Sequence, residues 1–270
     1  MPEANEQKGL IRRFLEMPAD SVSKTVIVAV VLCLVASMVV SAAAVALRPV
    51  QEENKLRDKR VNILQVAGVY DPSVPVNEAF AAFEPHVLDL STGEFTDQFD
   101  IETFDQLAAS GDPAIVRALD EDPAGLGGKM QVYRMVYLLR DDQGAIDKVI
   151  LPIEGYGLWS TLYGFIALEE NGNDIFGLQF YQQGETPGLG AEVDNPRWKA
   201  LWNGKKLFTE DGKLAITVAK SPPPEGTDFY VDALAGATLT SRGVDNLVRF
   251  WMGEAGYGTF LERLKAGEVD

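Results

Sequence analysis

The 270-residue sequence is poor in metal ligands and in positive charge. It has one cysteine, Cys33, and one histidine, His86, and its 40 acidic residues outnumber 24 basic ones, for a formal charge of −16. Zinc, iron–sulfur and multi-histidine sites need several such ligands, and a disulfide needs two cysteines, so we expect no metal and no disulfide on this chain. Nucleic-acid binding needs clustered positive charge, so we expect no nucleic-acid partner.

Common active-site signatures are also absent. The sequence has no Gly-x-Ser-x-Gly turn, no Walker loop and no Gly-x-Gly-x-x-Gly dinucleotide fingerprint. His86 lies in NEAFAAFEPHVLDL, a context that predicts a surface or capping histidine rather than a catalyst. We therefore predict no catalytic side chain.

Residues 25–47, TVIVAVVLCLVASMVVSAAAVAL, form the one long hydrophobic run, 23 residues without a charge. About twenty helical residues span a hydrocarbon core, so this run predicts a single transmembrane helix. The alternative is a cleaved signal peptide, whose apolar region is typically only about 7–15 residues long. Basic residues lie close to both ends of the run, so the positive-inside rule does not decide its orientation.

The rest of the chain is predicted to form one acidic domain. Residues 61–270 carry 15 basic and 33 acidic side chains, a formal charge of −18, and no Pro/Gly/Ser linker divides them. The predicted organisation is a short N-terminal segment (1–24), the transmembrane helix (25–47), a stalk helix (48–70) and an extracytoplasmic domain (71–270).

Hydrophobic periodicity predicts an α+β domain with a mainly antiparallel sheet flanked by helices. Short apolar segments between Gly, Asn and Asp turns predict strands at 130–140, 145–153, 161–169, 175–182 and 213–219. Amphipathic segments predict helices at 77–83, 195–202, 241–252 and 259–266.

Two segments have the composition of ligand-binding loops. In GETPGLGAEVDNPRW, Gly184, Pro187, Gly188 and Gly190 predict a tight loop whose exposed amides could approach a flat or anionic ligand. The alternative is an ordinary turn between a strand and a helix.

The second segment is VDALAGATLTSRGVDNLVRFW. Val244, Leu247, Val248 and Trp251 share one helix face, and three hydroxyl residues, Thr238, Thr240 and Ser241, stand just before that helix. A phosphate at a helix N-terminus gains on the order of 0.3–2 kcal/mol. The alternative is that Thr240 or Ser241 only caps the helix.

The stretch Asp232-Ala-Leu-Ala-Gly236-Ala237-Thr238 resembles the flavin-attachment motif of the FMN-binding domains in sodium-pumping NADH:quinone reductase and the RNF complex. In that family the final Thr of the motif carries FMN through a phosphoester. The resemblance implies covalent FMN on Thr238, with Asp232, Gly236 and Ala237 of the motif and the nearby Thr240 also binding the cofactor. Ala235 stands where the family usually has Ser or Thr.

The resemblance covers nearly the whole chain. LRPVQEENK, GYGLWSTLYGFIAL, GETPGLGAEVDNPRW and LTSRGVDNLVRFW are similar to the C-subunit family of sodium-translocating NADH:quinone reductases. This implies that Glu185, Thr186, Gly188 and Leu189 border the flavin. The aromatic residues Tyr156, Trp159 and Trp198 are expected either to stack on or screen the ring, or to belong to the core.

The resemblance also implies a function and partners. The chain would relay electrons through FMN within a Na⁺-translocating NADH:quinone oxidoreductase of the bacterial inner membrane, and would be inactive alone. Its domain would face the periplasm. The partners would be the other subunits of that complex and a flavin transferase that uses FAD and magnesium. Two alternatives are the G subunit of an RNF-type electron transport complex and a membrane-anchored binding or scaffold module without a cofactor.

Overall fold

The computed structural model describes residues 14–18, 20–104 and 115–269, which divide into two compact units between Leu56 and Arg57. The N-terminal unit contains most of helix α1 (Val22–Val66). All side chains of residues 25–47 lie exposed on α1, and among the described residues it is the one helix long and apolar enough to cross a membrane. This long apolar N-terminal helix is consistent with membrane anchoring.

The second unit begins at Arg57, within the segment assigned from the sequence to a stalk helix. It starts there because Ile63, Leu64 and Val66, at the end of α1, are at most 5% exposed and belong to the domain core. Its helices are the end of α1, then α2 (Val76–Phe80), α3 (Pro196–Lys199), α4 (Thr238–Met252) and α5 (Gly258–Lys265).

Eleven strands are described in this unit. They are β1 (Phe83–Asp89), β2 (Glu94–Phe95), β3 (Val116–Ala118), β4 (Lys129–Gln131), β5 (Tyr133–Arg140), β6 (Ile146–Tyr156), β7 (Thr161–Glu169), β8 (Asp174–Gln182), β9 (Lys205–Lys206), β10 (Thr217–Ala219) and β11 (Tyr230–Asp232). Seven of them form one antiparallel sheet in the order β2-β1-β5-β6-β7-β8-β9. The predicted antiparallel α+β fold is confirmed.

Alternate side chains of the central sheet enter two separate cores, as the two-residue period of a strand requires. Val149 and Leu151 on β6 pack in the same core as Leu247 and Trp251 of α4. Ile150, between them, packs in the other core with Ile63 and the rest of the end of α1. The sheet therefore supports α4 on one face.

Four sequence-based boundaries were wrong. The strand predicted at 130–140 breaks at Val132, whose N–H donates to Ile115 O while its own carbonyl accepts from Leu90 N–H, so β4 and β5 join different sheets. The helix predicted at 77–83 ends at Phe80, because Phe83 begins β1.

The other two wrong boundaries affect the candidate site. Only residues 217–219 of the strand predicted at 213–219 are extended, and they pair in parallel with β11, which the sequence analysis did not predict. The helix predicted at 241–252 begins at Thr238, so Thr238 lies in the first turn of α4 and not before it.

Candidate functional site

The link from β11 to α4 is a turn held by one hydroxyl group. Ser241 Oγ accepts a hydrogen bond from Leu234 N–H at 2.9 Å and donates one to Ala237 O at 3.0 Å. Ala237 occupies the N-cap position, and no side-chain cap hydrogen bond is found there among the described residues. The alternative considered from the sequence, that Thr240 or Ser241 only caps this helix, was therefore wrong.

The three hydroxyl residues of this turn differ in exposure. Thr238 is exposed, whereas Thr240 and Ser241 are 1% and 2% exposed. Both buried hydroxyls already have partners, because Thr240 Oγ1 donates to Glu185 Oε2 at 2.7 Å and Ser241 holds the turn. Of these three hydroxyl groups, that of Thr238 is therefore the one accessible from solvent.

A cavity of about 210 Å³ adjoins Thr238. Its lining includes two cationic side chains, Lys220 and Arg242, together with Ser241 and Asp245. Asp245 Oδ1 accepts hydrogen bonds from Thr217 Oγ1 and Val218 N–H, which ties β10 to α4 and places Lys220 beside the helix start. Lys220 and Arg242 outnumber the one carboxylate in this lining, Asp245, and the positive end of the helix dipole adds to their charge, so the cavity favours an anion.

Neither Lys220 nor Arg242 was predicted as a site residue from the sequence. Arg242 follows Thr238 by four residues and so lies on the same helix face, a signal that could have been used. Lys220 directly follows strand β10, and nothing near it in the sequence indicates its position beside α4.

The loop at 184–190 lies against the motif. Leu189 N–H donates to Thr186 O at 3.1 Å, and Gly188, at φ 73°, has the positive φ that favours glycine in a Pro-Gly turn. A methyl group placed on Gly236 would lie 3.2 Å from Leu189 Cδ2, so the loop and the motif are in contact. A second cavity of about 520 Å³ is lined by Gly188, Trp198, Leu201 and residues 233–235.

Glu185 is a buried carboxylate at the base of this loop, 6% exposed. Its Oε1 accepts from the backbone N–H groups of Leu158, Trp159 and Ser160 at 3.0, 2.9 and 3.2 Å. Burial alone would raise the pKa of the Glu185 carboxyl, but the hydrogen bonds from these amides and from Thr240 outweigh burial and lower that pKa. Glu185 is therefore held as an anion.

The aromatic candidates separate into two groups. Trp159 and Tyr156 are 67% and 49% exposed, so their rings are available to a ligand. Trp198 is buried at 6% exposure, and its Nε1–H donates to Asp232 O at 2.8 Å, which supports the motif from the core. The Asp232 side chain accepts a hydrogen bond from the Tyr230 hydroxyl, and this bond raises the pKa of Tyr230.

Comparison with known proteins identifies the family. Residues 157–253, which hold every site residue above except Tyr156, match the FMN-binding domain family. The chain is 48% identical over 259 residues to the C subunit of Na(+)-translocating NADH-quinone reductase from Pseudomonas aeruginosa, covering 93% of this chain and 98% of that protein. The chain belongs to this C-subunit family. The Yersinia pestis member is 46% identical and covers 93% of this chain and 96% of its own.

Solved structures of the C-subunit family have the same fold. The crystal structure of Shewanella oneidensis NqrC matches with a TM-score of 0.72 at 35% identity, covering 79% of this chain and 99% of that one. The C subunit from Parabacteroides distasonis matches with a TM-score of 0.61 at 30% identity, covering 80% of this chain and 96% of that one. Three functions were considered from the sequence. Membership of the C-subunit family favours a subunit of a Na⁺-translocating NADH:quinone oxidoreductase over the RNF-type subunit and the cofactor-free module.

Proposed function

We propose that this chain carries FMN bound through a phosphoester to Thr238 and relays electrons as the C subunit of a Na⁺-translocating NADH:quinone oxidoreductase. One observation carries the attachment site. Thr238 is the exposed hydroxyl of the motif, and it opens α4 beside a cavity lined by Lys220 and Arg242.

The residues around Thr238 suit a phosphate group. A phosphodiester keeps one negative charge, and Lys220 and Arg242 supply opposite charge on the same cavity wall. The first-turn amides of α4 add about 0.3–1 kcal/mol through the helix dipole. Ala233, which also lines the cavity, leaves little side-chain bulk beside the phosphate.

The loop at 184–190 and the turn at 157–160 suit the flavin ring. The loop exposes Thr186, Gly188 and Leu189, and the turn at 157–160 exposes Trp159. FMN supplies the electron transfer when it is bound, while the surrounding residues orient it and limit its contact with water. A covalent bond also makes rebinding intramolecular, which matters in a compartment where free FMN is dilute.

Attachment requires a partner enzyme. We infer a flavin transferase that uses FAD and magnesium. The Thr238 oxygen forms a bond to the FMN phosphorus of FAD, the pyrophosphate bond breaks, AMP leaves, and the hydroxyl proton passes to solvent. The magnesium belongs to that enzyme, so we expect no resident metal on this chain.

The proposed setting is the bacterial inner membrane, with α1 as the anchor and the domain in the periplasm. The relatives are named as one component of a translocating oxidoreductase, so the other subunits are the expected electron donor and acceptor. We expect the chain to oxidise no NADH by itself, because it has no dinucleotide fingerprint.

In-gel fluorescence tests the attachment site. The wild-type chain, produced with the transferase, should give a fluorescent band on a denaturing gel under ultraviolet light. Thr238→Ala should abolish this band, and Thr240→Ala should retain it because the Thr240 hydroxyl is already bonded to Glu185. Loss in the Thr240 variant alone, or a band that persists in Thr238→Ala, would reject the assignment.

A further inference from the structure

We propose that Glu185 is a positioning residue that fixes the three segments around the flavin and does not itself touch it. This role deepens the proposed function. It depends on that function only where the test below measures the attached flavin. We call Glu185, the N–H groups of residues 158–160 and the Thr240 hydroxyl the Glu185 clasp.

The clasp joins three segments that are distant in sequence. The amides of residues 158–160 belong to the turn that carries Trp159, and Glu185 begins the loop that carries Thr186 and Leu189. Thr240 lies two residues after Thr238 on α4. Breaking the clasp would release all three segments relative to one another.

Both carboxylate oxygens are already used. Oε1 accepts three N–H bonds of 2.9 to 3.2 Å, and Oε2 accepts the Thr240 hydroxyl at 2.7 Å. A buried carboxylate with this many donors is satisfied without a ligand. The geometry therefore assigns Glu185 a supporting role, whereas the family resemblance alone placed it at the border of the flavin.

Two glycines show how closely the chain is packed around this carboxylate. A methyl group on Gly157 would lie 2.6 Å from Glu185 Oε1, and one on Gly190 would lie 2.7 Å from Oε2 and 2.5 Å from Thr240 Oγ1. These distances are too short for a real contact. The surrounding backbone is therefore shaped to the carboxylate, as expected of a rigid support.

The test uses the flavinylated full-length chain and four variants. Glu185→Ala removes all four bonds. Glu185→Gln keeps the shape, with one oxygen for the three amides and an N–H for the Thr240 oxygen. Thr240→Val removes one bond at nearly constant volume. Glu210→Ala is the matched control, because it removes the same side chain at an exposed position that lines a different cavity.

Two readouts are measured on each folded variant: amide hydrogen exchange at residues 158–160 and the fluorescence anisotropy of the attached flavin. Glu185→Ala should speed that exchange by about tenfold or more, since bonds to a buried charge are lost. Its flavin should stay attached but lose anisotropy. Glu185→Gln should restore most of both readouts, and Glu210→Ala should change neither.

The outcomes separate the two proposals. If Glu185→Ala does not fold, Thr240→Val carries the test, with faster exchange and lower anisotropy expected in the same direction. Unchanged exchange and anisotropy in the folded variants would overturn the clasp. A wild-type chain without a fluorescent band would instead contradict the proposed function. The clasp would still be tested in that case, because hydrogen exchange at residues 158–160 needs no flavin.

Discussion

The first turn of α4 places three hydroxyl side chains in different surroundings. Thr240 and Ser241 are almost fully buried and each donates to an oxygen, whereas Thr238 is exposed beside two cations. The sequence alone left the three hydroxyls equivalent, and a family resemblance chose among them. The structure supports the same proposal with a physical reason, namely the exposure of Thr238 and the two cations beside it. Of these, only Arg242, four residues after Thr238, could be read from local sequence.

Gly188 offers a residue-scale prediction with a matched control. Gly188 and Gly204 both have φ of 73°, and both have open space where a side chain would project. Valine at either position should cost about 1–2 kcal/mol in backbone strain. We expect Gly188→Val alone to shift or weaken the visible absorbance of the flavin. Equal spectra in the two variants would make the loop at 184–190 an ordinary turn.

The ionised Glu185 predicts a pH dependence of stability. The folded-state pKa of Glu185 lies below the ordinary value of 4.5. The ionised carboxylate therefore contributes fully to the free energy of unfolding above pH 4.5, and this contribution is lost as pH falls through the folded-state pKa. The unfolding free energy of wild type minus that of Glu185→Gln should be constant near neutral pH and fall as the pH drops below 4.5 and through the folded-state pKa. A difference that rises on acidification would contradict this sign.

At the scale of elements, the sequence predicted what has a clear local pattern. Strands β6, β7 and β8 lie within a few residues of their predicted bounds, because each is a long apolar segment between turns. Strand β1 was missed because Val87 and Leu88 are both buried, which removes the alternation that marks a strand. The parallel pair β10 and β11 depends on a long-range contact with no local pattern.

Helix α4 gives a prediction at this scale. Leu247 is fully buried against the sheet, and Leu239 on the same helix is 51% exposed. Leu247→Ala should cost about 2–5 kcal/mol of unfolding free energy, through lost burial and a cavity. Leu239→Ala should stay within about 0.5 kcal/mol. Urea unfolding measures both, and similar losses would contradict the packing described for α4.

At the scale of the whole molecule, the prediction concerns which side of the membrane holds the domain. The basic residues on both sides of residues 25–47 do not decide it, and the proposed periplasmic location comes from the family resemblance. Alkaline phosphatase fused after Asp270 should therefore be active in cells. Activity of a cytoplasm-only reporter at the same position would place the domain on the other side.

The most direct test of the central claim is peptide mass mapping of the chain purified from its native host. We predict that the peptide containing Asp232 to Thr238 carries one FMN phosphoester, that fragmentation places it on Thr238, and that residues 25–47 remain uncleaved. An unmodified chain, or FMN located on Thr240 or Ser241, would contradict the account.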